Sequence, residues 1–542
     1  MTTLALSRRS MLAAFGGGLA LSNTGPALAQ AVFDVNPFRL GVTAGDPLPD
    51  GFVIWTRLAP DPVAYGSGMP KAPVAVKWEV AADRGFNTVV RSGEAVARPE
   101  LGHSVHVEVE GLEPARLYFY RFQCGTERSG VGRAKTAPLA GDAVSAVRFG
   151  VAGCQAYESG YYTAHRKMAE EDLDFIFCYG DYIYEGRGNP IYQSGSGPQD
   201  NTRVHLGGEI YSLDDYRRRY SQYTMDTDLQ ASRASAAWFC TYDDHEVDNN
   251  WVGDIDQDGV PPEVFLLRRA AAMQAFYEFM PMRKSAFPHG AGMQAYRRAQ
   301  YGDLLDIAFL DTRQYRTDQP CGDRYNATCP GIEATTAQVL GDAQEAWLLT
   351  NLDRSKARWK ALAQQVMMMD LNRNTSGGQG VNTDSWAGYR VPRNRLLRHI
   401  RDRRIDNVVV LTGDEHQNYA GGLWLDGSQP EGAPIAVEFV GTSISSGGDG
   451  SDRGSDYDRF LSANPQLKFR NTQRGYLICE ATPNLWTTQF KVLDKVSTRS
   501  GALKRAGLEG SLATATMTFS NILAALFIRS TCPFVTGSNV PG

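Results

Sequence analysis

Four clusters of acidic, histidine, cysteine and tyrosine residues each follow an apolar, β-branched or aromatic run, and this feature constrains the fold most strongly. The clusters are Cys154 at the end of the run 149–154, residues 180–185 after the run 174–179, residues 243–250 after the run 236–242, and residues 413–416 after the run 407–412. Strand-like runs separated by helical segments are typical of a layered α/β domain, where sites form just outside the carboxyl ends of the strands. We therefore expect the four clusters to meet at one edge of a sheet.

The clusters supply the kinds of ligands that metal ions use in proteins. Carboxylate oxygens suit calcium or magnesium, whereas thiolate, phenolate and imidazole suit a transition metal such as iron. Asp181 and Tyr184 form the sharpest pair, because a carboxylate at a strand end can bridge two metal ions and a tyrosine three residues later can return in a helical turn to bind one of them. The pattern predicts a mixed metal centre with a hydrolytic role.

Composition narrows the functional classes. A chain of 542 residues is expected to form at least two domains, and its 42% apolar content is sufficient for hydrophobic cores. The formal net charge is only −5, with the two signs interspersed, so the chain lacks the basic stripe of a nucleic-acid-binding protein. Nucleic acid is therefore not expected as a stable partner.

Residues 1–29 have the three parts of a twin-arginine signal peptide. Arg8 and Arg9 precede a run rich in Gly, Ala and Leu at 13–21, and a cleavage site of small residues follows at 27–29. Cleavage after Ala29 or after Ala31 is equally defensible, and a chance arginine pair in an amphipathic N-terminus is the alternative. The pattern predicts export by the Tat machinery to the periplasm or the extracellular space, and no membrane span is expected in the mature protein.

The eight cysteines do not form paired zinc spacings. Cys321 and Cys329 lie eight residues apart in a loop framed by two prolines, and a disulfide or two free thiols are equally expected there. Cys178 and Cys240 lie within strand-like runs and are expected to be buried as small apolar residues.

Residues 30–138 are predicted to form an N-terminal all-β sandwich of the immunoglobulin or fibronectin type. Short alternating runs at 53–57, 74–81, 103–109 and 117–123 are separated by turn residues, which is typical of such a sandwich. Its expected role is support or substrate presentation. Residues 138–142 are the expected boundary.

Residues 143–542 are predicted to form an α/β catalytic domain with a C-terminal segment, because strand-like and helix-like runs alternate there. The predicted helices are 160–171, 262–279, 342–354 and 392–403, and the predicted strands are 306–310, 359–369, 408–412, 435–440 and 476–480. An apolar helix-like stretch at 518–528 is expected to pack as core or as a lid.

The motif set resembles a known family. The motifs are Gly-Asp-x-x-Tyr from Gly180, Asp-Asp-His-Glu from Asp243, Gly-Asp-x-His from Gly413, and a strand that ends in Ala-Gly-Cys at Cys154. Together they are similar to those of the PhoD-like calcium-dependent alkaline phosphatases, which are distantly related to purple acid phosphatases. The resemblance extends over nearly the whole mature chain. It implies an α/β metallophosphoesterase-like sandwich core and the hydrolysis of phosphate mono- and diesters.

The resemblance also implies a set of metal ligands. Ferric iron is expected on Cys154, Asp181, Tyr184 and His416, and calcium on Asp181, Asp244 and Asp414. Purple acid phosphatases have asparagine where Asp244 stands and histidine where Asp414 stands, and two carboxylates in these places favour calcium over zinc or manganese. One more ligand is expected near Gln364 and Gln365, and periodicity does not decide between them.

Several residues near these ligands have two interpretations each. His245 is expected to act with Asp181 as a catalytic residue, by protonating the leaving oxygen or binding phosphate, or else to be an ordinary loop histidine. Asn249 and Asn250 are expected either to bind calcium or to cap the following turn. Arg313, with its neighbour Arg316, is expected to clamp phosphate or to pair with Asp311. The Gly- and Ser-rich loop 441–450 is expected to be a flexible linker, and the alternative is that it presents backbone amides to an anion.

Three other functions compete with phosphatase activity. The first is phospholipase D-type phosphodiesterase activity on the same scaffold. The second is a calcium-stabilised surface-binding module, which has no need of Cys154, Tyr184 and His416 together. The third is an exported iron redox enzyme, which is disfavoured because the chain lacks a dinucleotide fingerprint and iron–sulfur cysteine spacing.

Overall fold

The computed structural model describes residues 32–194, 197–374, 376–427, 430–499, 513–520 and 527–530, so the predicted signal peptide lies outside the described residues. The strands are β1 Val42–Leu48, β2 Gly51–Arg57, β3 Val74–Ala81, β4 Val89–Ala97, β5 Ser104–Val109, β6 Leu117–Cys124, β7 Glu127–Arg128, β8 Gly132–Lys135, β9 Val147–Ala152, β10 Phe175–Cys178, β11 Ile191–Ser194, β12 Gly197–Asp200, β13 Ala237–Cys240, β14 Arg297–Tyr301, β15 Leu305–Phe309, β16 Trp359–Ala363, β17 Val408–Thr412, β18 Asn418–Leu423, β19 Ala436–Val440, β20 Leu467–Asn471, β21 Gly475–Ala481, β22 Leu485–Val492, β23 Ala513–Ser520 and β24 Phe527–Ser530. The α-helices are α1 Thr163–Ala169, α2 Leu213–Thr224, α3 Thr227–Ser235, α4 Pro262–Phe279, α5 Gly341–Arg354, α6 Arg390–Asp402 and α7 Tyr457–Ser462.

Two large sheets form the centre of the protein. A ten-stranded sheet has the order β24-β23-β22-β21-β9-β10-β13-β1-β2-β5, and a seven-stranded sheet has the order β14-β15-β16-β17-β19-β18-β20. Strands β9, β10 and β13 are parallel neighbours in the first sheet, and β15, β16, β17 and β19 are parallel neighbours in the second. The carboxyl ends of these parallel strands carry the predicted clusters.

Successive side chains of a central strand pack into two different layers of the hydrophobic core. In β10, Phe175 and Phe177 belong to the core between the two sheets, whereas Ile176 and Cys178 belong to the core under the helices. Successive side chains on a strand point to opposite faces, so a run that is apolar at every position is buried on both sides. Helices α1 to α4 pack with the ten-stranded sheet, and α5 and α6 pack with the seven-stranded sheet.

The N-terminal region differs from the predicted separate sandwich. Strands β3, β4, β6, β7 and β8 form a five-stranded sheet that shares one apolar core with β1, β2 and β5. Those three strands are also part of the ten-stranded sheet, because β1 pairs in parallel with β13. Gly45 permits this pairing, since a Cβ atom there would lie 2.2 Å from the Pro281 carbonyl oxygen and 2.8 Å from that of Trp238. The likeness to immunoglobulin and fibronectin domains stays a prediction.

The predicted bounds agree with several elements and miss others. Val74–Ala81, Pro262–Phe279 and Val408–Thr412 have the bounds that were predicted. Helices α2 and α3 were not predicted. The predicted helix at 518–528 is wrong where the structure describes it, because Ala513–Ser520 is a strand in which threonine alternates with other residues, a pattern that favours β-structure.

The prediction that Cys178 and Cys240 are buried is confirmed, and of the two alternatives for Cys321 and Cys329 the structure has the disulfide. Cys178 and Cys240 are buried free thiols, and Cys321 and Cys329 form a disulfide. Cys154 is also buried as a free thiol. Among the helices of the described residues, none has the length and apolar character needed to cross a membrane.

Candidate metal centre

The structure brings the four predicted clusters together at the carboxyl ends of the parallel strands. Three overlapping groups of potential ligands each have their ligand atoms within 4.8 Å of one another. The groups are Cys154 with Asp181 and His416, Asp181 with Asp244 and His245, and Asp243 with Asp244 and Asp414. Asp181 and Asp244 each belong to two groups, so the arrangement is a continuous row with room for more than one cation.

The backbone at these positions is in the left-handed region, which non-glycine residues rarely adopt. The φ angles are 50° at Cys154, 54° at Asp181, 65° at Asp414 and 52° at His416. Each residue follows a strand closely, so the left-handed turn directs its side chain toward the shared edge. Such conformations concentrate at functional sites, where the surrounding structure compensates for their cost.

Tyr179 explains two of the glycines in the motifs. Its buried ring lies against Gly153 and Gly413, where an added Cβ atom would come within 2.2 Å and 2.1 Å of the ring. The Tyr179 hydroxyl group donates a hydrogen bond of 2.6 Å to the Thr442 carbonyl oxygen. Only glycine at both positions lets the ring fit between the ends of the two strands.

One half of the row, which we call the mixed-ligand half, combines Cys154, Tyr184 and His416 around the Asp181 carboxylate. The Tyr184 hydroxyl group donates to Asp181 Oδ2 at 2.8 Å and lies 3.1 Å from His416 Nε2. The Ser446 hydroxyl group donates to the same tyrosine oxygen at 2.7 Å. A thiol, a phenol and an imidazole around one carboxylate are a donor set that suits iron.

The other half, which we call the carboxylate half, contains Asp243, Asp244 and nearby Asp384, which are buried, and Asp414, which is half-buried. The buried Arg313 is 0% exposed and donates to Asp243 Oδ1 at 2.6 Å and to Asp384 Oδ1 at 2.9 Å. One guanidinium therefore faces several carboxylates, which leaves an excess of negative charge.

Three carboxylate oxygens of the ligand groups are buried and accept no hydrogen bond from the described residues. They are Asp181 Oδ1, Asp243 Oδ2 and Asp244 Oδ1. A buried charge without a partner is strongly unfavourable, and buried carboxylates are normally paired or bound to metal ions. The residues present therefore fit bound cations.

Burial also raises the pKa values of several candidate ligands. Burial raises the pKa of the Asp181 carboxyl group to about 7, and repulsion from Asp244 adds to this effect. Burial, followed by repulsion from Asp243, raises the pKa of Asp414 well above its ordinary value. Burial also raises the pKa of the Cys154 thiol, and neighbouring carboxylates contribute. A cation favours the charged forms of these groups, so its binding releases protons.

His245 is held in one orientation by two neighbours. Its Nδ1 lies 2.7 Å from Glu185 Oε2, and its ring lies over the Tyr184 ring with 4.0 Å between the centroids. Fixing Nδ1 leaves Nε2 for a substrate. The interpretation of His245 as an ordinary loop histidine does not explain why an ionic partner orients it beside two predicted ligands.

The contacts of Arg313 favour the structural interpretation over a phosphate clamp. The Arg313 guanidinium pairs with Asp243 and Asp384 and not, as predicted, with Asp311. Arg313 donates to Asp311 through its backbone N–H. Arg316 is buried too, donates to the Asp384 carbonyl oxygen and lies over the Tyr389 ring. Neither guanidinium is exposed to a substrate.

The glutamines take part in packing around the centre. Gln365 Oε1 accepts hydrogen bonds from the Thr312 backbone and hydroxyl group, and Gln365 Nε2 donates to the Leu310 carbonyl oxygen, so the amide oxygen already has two donors. The Gln364 Oε1 atom accepts from the Trp386 indole at 3.2 Å. These contacts do not favour either glutamine as a calcium ligand.

The two asparagines have different surroundings. The Asn250 backbone N–H donates to Asp244 Oδ2 at 2.8 Å, and its side chain donates to Asp323 Oδ2 at 2.9 Å. The Asn249 side chain donates to Gln257. The Asn250 backbone N–H therefore holds the carboxylate of Asp244, a predicted metal ligand, in position.

The loop 441–450 is not a flexible linker, so that prediction is wrong. The Ile444 N–H donates to the Gly153 carbonyl oxygen at 3.0 Å, and the Ser446 N–H donates to the Cys154 carbonyl oxygen at 3.2 Å. Ser443, Ile444 and Ser446 are buried. The loop supports the end of β9, where the thiol lies.

Four residues that support the centre were not predicted to have a role: Asp243, Asp384, Glu185 and Glu246. The Glu246 carboxylate accepts hydrogen bonds from the backbone N–H groups of Asp181 at 3.1 Å and Asp243 at 2.9 Å. It lies within the Asp-Asp-His-Glu motif, so the motif contained a signal for it. Asp384 lies in no motif and had no such signal.

A cavity of about 260 Å³ opens onto the carboxylate half and His416. Its lining residues are Asn250, Asp323, Tyr325, Asn382, Asp384, Asp414, Glu415 and His416. The row of ligands therefore has access from solvent at one end, as a site that binds a substrate requires.

Comparisons with known proteins agree with this geometry. Residues 149–490 match the PhoD-like phosphatase family, and residues 24–138 match the N-terminal domain of PhoD-like phosphatases. Alkaline phosphatase D of Bacillus subtilis (strain 168) is 46% identical over 497 residues, which are 90% of this chain and 84% of that protein. A solved structure of PhoD is 44% identical with a TM-score of 0.88 and covers 94% of this chain and 95% of its own.

A second solved structure shows a likeness of fold alone. The purple acid phosphatase PPD1 from yellow lupin seeds is 13% identical, with a TM-score of 0.51, over 89% of this chain and 73% of its own. The two central sheets and the PhoD structure fit a metallophosphoesterase-like core.

Proposed function

This chain belongs to the PhoD-like phosphatase family and is a phosphoric ester hydrolase, and from that premise we propose that it hydrolyses phosphate mono- and diesters at a mixed centre of ferric iron and calcium outside the cytoplasm. The observation that carries the proposal is the continuous row of ligand groups in which Asp181 belongs to both a sulfur-containing group and a carboxylate group. A single shared carboxylate between two different donor sets is suited to two different cations.

Iron belongs in the mixed-ligand half, on Cys154, Asp181, Tyr184 and His416. Calcium belongs in the carboxylate half, on Asp181, Asp244 and Asp414, with Asp243 as a further candidate that the structure adds. Hard oxygen donors support calcium in this half. Asn249, Gln364 and Gln365 are weaker candidates, because their amides contact other side chains.

When bound, the cations neutralise the phosphate oxygens and activate water for in-line attack. The side chains do the rest of the work. Glu185 holds His245 at Nδ1, so its Nε2 is available to donate a proton to the oxygen of the leaving alcohol. Arg313 offsets part of the carboxylate charge without touching the substrate.

The proposed location follows from residues 1–29, which have the twin-arginine pattern. The Cys321–Cys329 disulfide supports it, because disulfides persist mainly in oxidising compartments outside the cytoplasm. Tat machinery carries folded proteins, so a centre loaded before export is compatible with this route.

The proposal is tested by initial rates of hydrolysis of a phosphomonoester and a phosphodiester at alkaline pH, with calcium and after chelation. We expect turnover that chelation abolishes and calcium restores. A strong preference for the diester favours phospholipase D-type use of the same centre. Turnover that is insensitive to chelation contradicts the calcium site, and no turnover of either ester favours a surface-binding module.

A further inference from the structure

We propose that the disulfide-closed segment Cys321–Cys329 is the specificity wall of the catalytic cavity, and that Tyr325 selects esters with a planar, uncharged leaving group by stacking against it. This inference rests on the proposed function and adds the substrate class.

The segment is fixed in place along one side of the cavity. Besides the disulfide, Ala327 and Val381 exchange backbone hydrogen bonds of 3.0 Å and 2.9 Å. Arg324 accepts from the Thr383 backbone N–H at 3.0 Å and donates its own N–H to the Thr383 hydroxyl group at 2.7 Å. The wall is thus a rigid surface, which is what discrimination between leaving groups requires.

Tyr325 is the one tyrosine, tryptophan or phenylalanine among the described residues that line the cavity. The residue is 56% exposed, so it is accessible to a ligand in the cavity. Arg373 supports the ring from behind, with the guanidinium 4.7 Å from the ring centroid and a hydrogen bond of 2.8 Å to the tyrosine hydroxyl group. The same arginine pairs with Glu415, which lies between Asp414 and His416 in the chain.

The size and charge of the cavity define what the ring contacts. At about 260 Å³ it is smaller than the roughly 300–1,000 Å³ of typical ligand pockets. A phosphoryl group at the ligand row therefore places its leaving group at the rim, where Tyr325 lies. Asp323 and Asp384 at the same cavity disfavour an anionic leaving group. A planar, neutral group stacked on the ring fits both conditions.

The chain offers a matched control. Tyr211 is 54% exposed and its ring also lies over an arginine, with the Arg268 guanidinium 4.3 Å from its centroid, but it does not line the cavity. Tyr211→Ala therefore removes an equally exposed, arginine-supported ring elsewhere.

The test compares phenylphosphonate with n-propylphosphonate, which are not hydrolysed, by measuring their Kd values with the full, metal-loaded protein. For the wild type we expect tighter binding of the phenyl compound, and for Tyr325→Ala a fall in the phenyl preference of about 2- to 10-fold. Tyr325→Phe keeps the preference, Tyr325→Leu loses it, and Tyr211→Ala leaves it at the wild-type value. Equal weakening of both ligands in Tyr325→Ala overturns the proposal, as does a loss in Tyr325→Phe as large as in Tyr325→Ala.

Rates for an aryl and an alkyl phosphomonoester separate this inference from the proposed function. We expect the ratio of their kcat/KM values to follow the ratio of the Kd values across the same variants. If the phosphonates bind in a Tyr325-dependent way and neither ester turns over, the specificity wall stands and the catalytic proposal fails. If both esters turn over with a ratio that Tyr325→Ala does not change, the catalytic proposal stands and the specificity wall is wrong.

Discussion

The two halves of the ligand row differ in both chemistry and support. The mixed-ligand half joins Cys154, Tyr184 and His416, and its hydrogen bonds run among the ligands and Ser446. The carboxylate half has aspartates as its main candidate ligands, and Arg313 compensates part of their charge. A left-handed residue follows a strand in both halves, at Cys154 in the mixed-ligand half and at Asp414 in the carboxylate half, so the same backbone feature presents different donor atoms along one row.

The largest loss of activity is expected from a substitution of Asp181, where the two halves meet. Asp181→Asn removes the carboxylate that both halves share, and we expect kcat to fall at least about a thousandfold, since bridged cations contribute several kcal/mol. The fold is expected to be retained, because the amide has the same shape. Steady-state kinetics and a thermal melt check both points. Asp172→Asn, at a 96% exposed side chain, is the control, and retained turnover in Asp181→Asn contradicts the bridging role.

The next largest effect is a loss of folding stability when the charge compensation of the carboxylate half is removed. Arg313→Ala leaves Asp243 without its cation and leaves Asp384 with the Arg316 guanidinium at 3.3 Å, and we expect a loss of about 3–5 kcal/mol in the free energy of unfolding. Urea denaturation with calcium present measures it. The control is Arg401→Ala, since Arg401 pairs with Asp402 on the surface and is expected to contribute at most about 1 kcal/mol. Equal losses in the two variants contradict the account of charge compensation.

His245→Asn tests proton transfer beside the row. We expect kcat to fall about 100-fold for an alkyl ester, because that leaving group needs a proton. The loss is expected to be smaller for an ester of p-nitrophenol, which leaves readily as an anion. His399→Asn, on the surface beside Asp353, is the control. A loss that does not depend on the leaving group points to a role in binding.

The smallest effect is expected from the support of the mixed-ligand half. Ser446→Ala removes the donor to Tyr184 and one contact with the Cys154 carbonyl oxygen, and we expect activity to fall about tenfold, as is usual for groups that orient metal ligands. Ser92→Ala on the exposed strand β4 is the control. If Ser446→Ala loses bound calcium and keeps the activity that depends on iron, the two halves are not separately supported.

The sequence predicted most of the row because its residues follow apolar runs within a few positions. Cys154, Asp181, Asp244 and Asp414 all stand at such ends, and proximity then follows from parallel pairing of the strands. The ion pair of Arg313 with Asp384 joins residues about seventy positions apart, and no local pattern connects them. The periodicity of apolar residues along a sequence does not reveal tertiary contacts of this kind.

Two features of the fold were missed for equally local reasons. Helix α2 buries Tyr216, Tyr220 and Tyr223, so its apolar face is made of tyrosines within a very polar sequence and shows little aliphatic periodicity. Pairing of β1 with β13 joins Ala44 to Ala237 across the predicted domain boundary. Strand pairing over such a distance is set by tertiary structure and not by the pattern of either strand.

The most direct measurement is the iron and calcium content per chain of the wild type, Cys154→Ala and Asp414→Asn, determined by elemental analysis of the purified proteins. The account predicts both elements in the wild type, loss of iron with calcium retained in Cys154→Ala, and loss of calcium with iron retained in Asp414→Asn. A wild type that lacks either element, or variants that each lose the ion assigned to the other half, would contradict the division of the row into two sites.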